Sequence, residues 1–156
     1  MSSNKKSRRK FLKNTALASS LFIVPRHVLG GNGYTAPSDK LNLAGIGLHG
    51  KGQSDILHSS VSGRENVVAL CDVHENAYGA QQAVKNFPKA KFYTDFREML
   101  DKEDLDGVTI STPDHTHANI SKSAMEKGIH VYVQKPLTHN VKAVSYTHLT
   151  LPTILR

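Results

Sequence analysis

Cysteine is nearly absent from this chain of 156 residues: Cys71 stands alone, so no intrachain disulfide can form and no cysteine cluster can hold a structural zinc. Tryptophan is missing altogether, and no apolar run reaches the roughly 18 residues that a membrane-spanning helix needs. No stable insertion into a bilayer is therefore expected. Acidic residues are absent before Asp39, whereas Lys5, Lys6, Arg8, Arg9, Lys10, Lys13 and Arg26 all precede it. Those residues account for the whole formal charge of +7 and leave 13 basic against 13 acidic residues in the remainder. A neutral body offers no basic stripe to a phosphate backbone, which argues against nucleic acid as a partner. The length has room for one ordinary domain.

What is present begins with an address. Ser7-Arg8-Arg9-Lys10-Phe11-Leu12-Lys13 leads into a weakly apolar stretch from Thr15 to Val24 and then Pro25. That order resembles the twin-arginine export signal, which implies transient engagement of the twin-arginine translocation machinery and a periplasmic or secreted location. Such signals serve proteins that cross the membrane already folded, which reconciles an oxidising destination with a single cysteine. Residues 1–30 read as the signal. Residues 31–39, rich in Gly, Asn, Pro and Ser, read as a linker, and the domain is expected to begin near Lys40.

From there, short apolar runs alternate with helical patterns. Leu41 to Ile46, Val67 to Cys71, Lys91 to Tyr93, Val108 to Ser111 and His130 to Val133 read as strands, with four helices between them. Ala77, Ala80, Val84 and Phe87 are spaced to form one helical face. Phe96, Met99 and Leu100 do the same behind Asp95, with Glu98 completing a capping box. A last helix is expected from Asp114 or Thr116, with Ile120 and Ala124 inward and a stop at Gly128. Strict alternation with near-continuous apolar strands implies an α/β fold of the Rossmann type, a doubly wound parallel sheet covered on both faces.

Gly45-Ile46-Gly47-Leu48-His49-Gly50 matches G-x-G-x-x-G where a strand ends and a helix begins. In that setting Gly45 permits the tight turn, Gly47 lets the backbone approach a pyrophosphate and Gly50 lets the helix pack on the strand. Gly52 just afterwards reads as merely tolerated. Free N–H groups and the dipole at the helix start attract phosphate. Asp72 ends the second strand 25 residues past Gly47, near the expected offset of about 20, and its carboxylate suits the ribose hydroxyls while repelling a 2′-phosphate. NAD is thus favoured over NADP. The fourth and fifth strands end in polar runs, Ser111 to His117 and Gln134-Lys135-Pro136, and all carboxyl ends of a parallel sheet share one rim.

The glycine motif, Asp72, the run DFREML at Asp95 to Leu100, the run STPDHTHA from Ser111 and the run QKPL from Gln134 together resemble the Gfo/Idh/MocA oxidoreductases, over about Lys40 to Asn140. The resemblance implies that Ser111, Thr112, Pro113, His115, His117 and Gln134 lie beside the cofactor, and that Lys135 both touches it and acts as the catalytic cation on the reacting hydroxyl. A cation there stabilises a developing alkoxide, and Pro136 is expected to hold Lys135 extended. Gln134 departs from the glutamate that commonly precedes the lysine. The resemblance further implies a sugar or polyol substrate and a homo-oligomer for the full-length form. It also implies a second, substrate-binding domain that has no counterpart within these residues. The span 40–143 is read as the cofactor domain, truncated. Residues 144–156, β-branched and containing Pro152, read as translated read-through at the end of a shortened gene.

Of the nine histidines, only His115 and His117 form a close pair, and one-residue spacing at a helix start lacks the i, i+4 geometry of a helical zinc site. No metal is expected. Cys71, inside an apolar strand, reads as buried and inert. The function expected is hydride transfer between a nicotinamide and a sugar or polyol. The alternatives are an NAD-dependent glycosidase of the same family and a nucleotide-binding fragment without catalysis.

Overall fold

The computed structural model describes residues 35–61 and 64–145. The signal, residues 31–34 of the linker and all but the first two residues of the tail lie outside the described residues. The chain divides into two units, residues 1–39 and 40–156. Of the first, only a short 3-10 turn at Pro37–Asp39 is described as an element.

The second unit runs β1 (Asn42–Ile46), α1 (Lys51–Ser59), β2 (Asn66–Cys71), α2 (Tyr78–Asn86), β3 (Lys91–Tyr93), α3 (Phe96–Lys102), β4 (Gly107–Ile110), α4 (Asp114–Glu126), β5 (His130–Val133) and a single turn, α5 (Val141–Val144). All strand pairs are parallel, in the order β3-β2-β1-β4-β5. The winding proceeds outward from β1 through β3, then crosses back to β4, so β1 and β4 flank the point where an open parallel sheet leaves a crevice. Every strand expected from the sequence is present within one residue at each end.

Two cores explain why these strands are apolar on both faces. Ala44, Ile46, Ala69, Cys71, Val108 and Ile110 pack with Met99 and Leu100 of α3 and Ile120 and Ala124 of α4. On the opposite face Leu70 and Val67 pack with Leu48, Ile56 of α1, and Ala80 and Ala83 of α2. Val67 and Leu70 share a face despite their odd spacing because the register slips between Leu43 and Ala44, a bulge in the pairing of β1 with β2.

Two local expectations are corrected and a third is met. On α2, Ala83 is buried and Val84 is not: Gly79, Ala80 and Ala83 form the inward stripe, because only small residues allow this helix to lie against the turn that follows β1. A Cβ at Gly79 would sit 2.4 Å from the Leu48 carbonyl oxygen. At α3 the capping box is half made: Asp95 accepts the N–H of Arg97 at 2.8 Å, while Glu98 accepts from Lys102 instead. The last helix starts at Asp114 and ends in a Schellman arrangement, with Gly128 at φ +79° and the N–H groups of Ile129 and Gly128 donating to the carbonyls of Ala124 and Met125.

Candidate dinucleotide site

The carboxyl ends of the strands are kept level by four main-chain bonds just beyond the ladder: Gly47 N–H to Cys71 O, Asp72 N–H to Tyr93 O, Ser111 N–H to Ile46 O and Gln134 N–H to Ile110 O. Polar residues therefore emerge along one rim. Between them lies a cavity of about 630 Å³. Eight of the fourteen residues expected at a cofactor line it: Ile46, Gly47, His49, Asp72, Ser111, Thr112, Pro113 and His115. Gly45, Leu48, Gly50, His117, Gln134 and Lys135 do not.

The glycines divide their labour differently from the expectation. Gly45 lies within β1, where an added Cβ would press on Ile56 and Leu48 at 3.2 Å, so its role is packing rather than the turn. Gly47 makes the turn at φ +81°, and a Cβ there would sit 2.7 Å from the Ser111 carbonyl oxygen. Gly50 caps α1 at φ +57° with nothing within 4 Å of its Cβ position, so it supplies conformation and not close packing. The close approach belongs to Gly52, whose Cβ would fall 1.9 Å from the Gly47 carbonyl oxygen. Sequence reasoning missed this because a glycine inside a helix carries no motif.

Asp72 does more than wait for a ligand. Its Oδ2 accepts the Leu48 N–H at 2.7 Å and its Oδ1 the His74 N–H at 3.1 Å, tying the end of β2 to the glycine turn. Each oxygen accepts one of these bonds and keeps a further lone pair, and Asp72 lines the cavity. Leu48 N–H is thus spoken for, and the N–H groups of His49 and Gly50 at the start of α1 donate to nothing among the described residues.

His117 is the clearest correction. It is 1% exposed, with Nδ1 2.7 Å from the Pro136 carbonyl oxygen and Nε2 2.7 Å from that of Thr112. It cannot also reach a cofactor: it staples the loop after β4 to the loop after β5. Gln134 likewise turns away from the cavity, its Nε2 donating to Asp55 Oδ2 at 2.7 Å. Lys135 is exposed, outside the cavity wall, and the bond it forms with Pro136 is cis.

The remaining wall was not foreseen. Thr94 and Asp95 just beyond β3, Phe96 and Arg97 at the start of α3, Val73 after β2, and Thr116, Asn119 and Ile120 of α4 also line it. The signal was available, since β3 is parallel to its neighbours and its carboxyl end must open on the same rim. Arg97 stacks on Phe96 at 4.5 Å, the one Lys or Arg on that wall. Cys71 also borders the cavity, but burial, then the charges of Asp72 and Asp95, push its thiol up to about 12. Among the described residues no group of three or more His, Cys, Asp or Glu is arranged to hold a metal ion.

Comparison with known proteins agrees with this geometry. Residues 41–148 match the family model described as the oxidoreductase family with an NAD-binding Rossmann fold, Gfo/Idh/MocA. A glycosyl hydrolase family 109 protein of Shewanella sp. strain ANA-3 is 35% identical over 138 residues, covering 81% of this chain. Inositol 2-dehydrogenase of Salmonella typhimurium strain LT2 is 33% identical over 99 residues, covering 63% of this chain. The chain spans 29% of the length of each of these relatives. Among solved structures, myo-inositol 2-dehydrogenase of Lactobacillus plantarum superposes with a TM-score of 0.65 at 25% identity, over 73% of this chain and 33% of that one.

Proposed function

This chain belongs to the Gfo/Idh/MocA oxidoreductases through their NAD-binding domain, and from that premise we propose that the whole protein moves hydride between a nicotinamide and a hydroxyl-bearing carbon of a sugar or polyol, this chain being its cofactor-binding part. One observation carries the reading: a turn with no room for a side chain, the Asp72 carboxylate and the Ser111 to His115 loop surround a single cavity at the switch point of a parallel sheet. The residues fit a dinucleotide. The bare backbone at Gly47 allows close approach, and the N–H groups of His49 and Gly50 are free to meet phosphate at the start of α1. Asp72 retains acceptor capacity for ribose hydroxyls and carries the charge that disfavours NADP.

When bound, the nicotinamide supplies a reversible two-electron hydride acceptor. The chain's own residues bind and orient. Thr112, Pro113 and His115 form the wall on the β4 side, and the exposed amine of Lys135 is assigned to the substrate hydroxyl, where a cation offsets charge left on oxygen. The test is turnover by the protein at the length of its relatives. With NAD and a panel of polyols and sugars, including myo-inositol, reduced-nicotinamide absorbance should accumulate; silence across the panel with NAD bound would reject the reading. The Shewanella relative favours a second reading, NAD-dependent cleavage of a glycosidic bond. There an aryl glycoside would release its aryl group with no net reduction.

The leader reading adds export through the twin-arginine route, supported by the order of Arg8, Arg9, Phe11 and Leu12. Lysine at both arginine positions should leave a fused reporter in the cytoplasm, and unchanged export would refute that route. Self-association of the full-length protein belongs to the same reading, and light scattering decides it.

A further inference from the structure

Asp55 is a buried charge that the proposed chemistry does not use. Its side chain, on α1, is 3% exposed, yet it carries an ionised carboxylate among three donors. Lys51 Nζ lies 2.9 Å from Oδ1, while Ser111 Oγ at 2.6 Å and Gln134 Nε2 at 2.7 Å both donate to Oδ2. Burial raises this carboxyl; the hydrogen bonds from Ser111, Lys51 and Gln134 and the Lys51 charge outweigh it, leaving the group below its ordinary value. Lys51 is largely solvated, so the buried end of the cluster is the pair from the sheet.

That pair is set by register. Thr109 faces Tyr132 and Ile110 faces Val133 across β4 and β5, and Gln134 N–H continues the ladder to Ile110 O. Ser111 and Gln134 are therefore the next cross-strand neighbours, on the same face, the one that α1 covers. The bonds from Asp55 span 56 and 79 residues of sequence, which is why no local pattern announces them. Ser111 is also the residue against whose carbonyl the bare Gly47 turn lies.

We infer that Asp55 is a positioning residue: its carboxylate anchors Gln134, and with it the backbone from which Lys135 departs, so position 134 takes an amide donor and not a second carboxylate. A glutamate there would set two acceptors 2.7 Å apart with no hydrogen between them. The assignment of a consequence to Lys135 rests on the hydride-transfer reading; the pairing of Asp55 with Gln134 does not.

The experiment is a double-mutant cycle in the 156-residue chain and in the protein at the length of its relatives. Gln134→Glu should lower the melting temperature more than Gln134→Met, which removes the donor without adding charge. Asp55→Asn/Gln134→Glu again opposes one amide and one carboxylate, and should regain at least half of what Gln134→Glu loses. In the longer protein Gln134→Glu should cut kcat about tenfold while NAD affinity stays within about threefold, and the double variant should restore kcat. If Gln134→Glu does not fold, folding of the double variant is the rescue expected. Additive losses in the double variant, or a Gln134→Met loss as large as that of Gln134→Glu, would overturn the inference. Failure of the wild-type chain to bind NAD would instead count against the functional reading while leaving the melting-temperature cycle intact.

Discussion

Replacing Gly52 by alanine separates two physical arguments that predict opposite signs. Gly52 lies in the first turn of α1, and alanine in a helix is ordinarily better than glycine by about 1 kcal/mol. Propensity alone predicts a more stable protein. The structure predicts the reverse, because the new Cβ would fall 1.9 Å from the Gly47 carbonyl oxygen and 2.8 Å from its carbon. A Cβ has no rotamer with which to escape, and the obstacle is main chain, so either α1 or the glycine turn must shift. Overpacking of this kind costs about 1–3 kcal/mol, and backbone as the obstacle argues for the upper end. After the propensity gain is set against it, a net loss of about 2 kcal/mol remains, or a fall in melting temperature of about 10 °C for a domain of this size. Thermal unfolding followed by circular dichroism measures it, with Gly128→Ala as the comparison, since that position has a positive φ that Gly52 lacks and open space around it, and so reports backbone strain without a clash. A rise in melting temperature for Gly52→Ala would refute the close approach of α1 to the glycine turn.

Other consequences follow from buried groups. Cys71 should resist alkylation at pH 8 in the folded chain and react quickly in denaturant, because its thiol is buried and pushed up to about 12; equal rates would contradict that burial. Asp55 is held below its ordinary value despite burial, chiefly by the Ser111 hydrogen bond, and Glu103 is held below its own by bonds from Lys91 and Tyr93. A depressed folded value favours the folded state above the unfolded value and loses that contribution as pH falls through the folded one. Stability should therefore drop on acidification below the ordinary carboxylate values of 3.8 and 4.5, and Asp55→Asn should flatten part of the drop in a urea titration. His117→Ala should cost about 2–4 kcal/mol in the same titration, since it opens a cavity and strands the carbonyls of Thr112 and Pro136.

Most of the fold was legible because a parallel sheet buried on both faces writes itself as apolar runs at helical intervals, and each of the five runs is a strand. The glycine turn and Asp72 were legible for a related reason: a strand end, a positive φ and a strand-end acid are local features. What escaped depends on contacts across the chain. Nothing near Gly52 in sequence says that a carbonyl lies against it, and nothing near His117 says that two loop carbonyls converge on its ring. Polar residues in a run after a strand look alike from the sequence, yet the first turn of α4 sets residues two apart about 200° around its axis, sending His115 to the cavity and His117 inward. Gln134 appeared as a departure from a family pattern; its reason lies on α1, at Asp55. The wall at Thr94 to Arg97 was open to inference from the parallel sheet, but Asp95, Phe96 and Arg97 were read as a helix start and as part of the run DFREML rather than as a cavity wall.

The claim on which the rest depends is that Asp72 and the glycine turn form one grip on a dinucleotide, with the carboxylate at the adenosine ribose. Calorimetric titration of the chain with NAD and with NADP tests it most directly. One NAD site is expected, with NADP weaker by about tenfold, the equivalent of about 1.4 kcal/mol, and Asp72→Asn, which still accepts from Leu48, should narrow that gap. No heat with NAD, or a preference untouched by Asp72→Asn, would contradict the account.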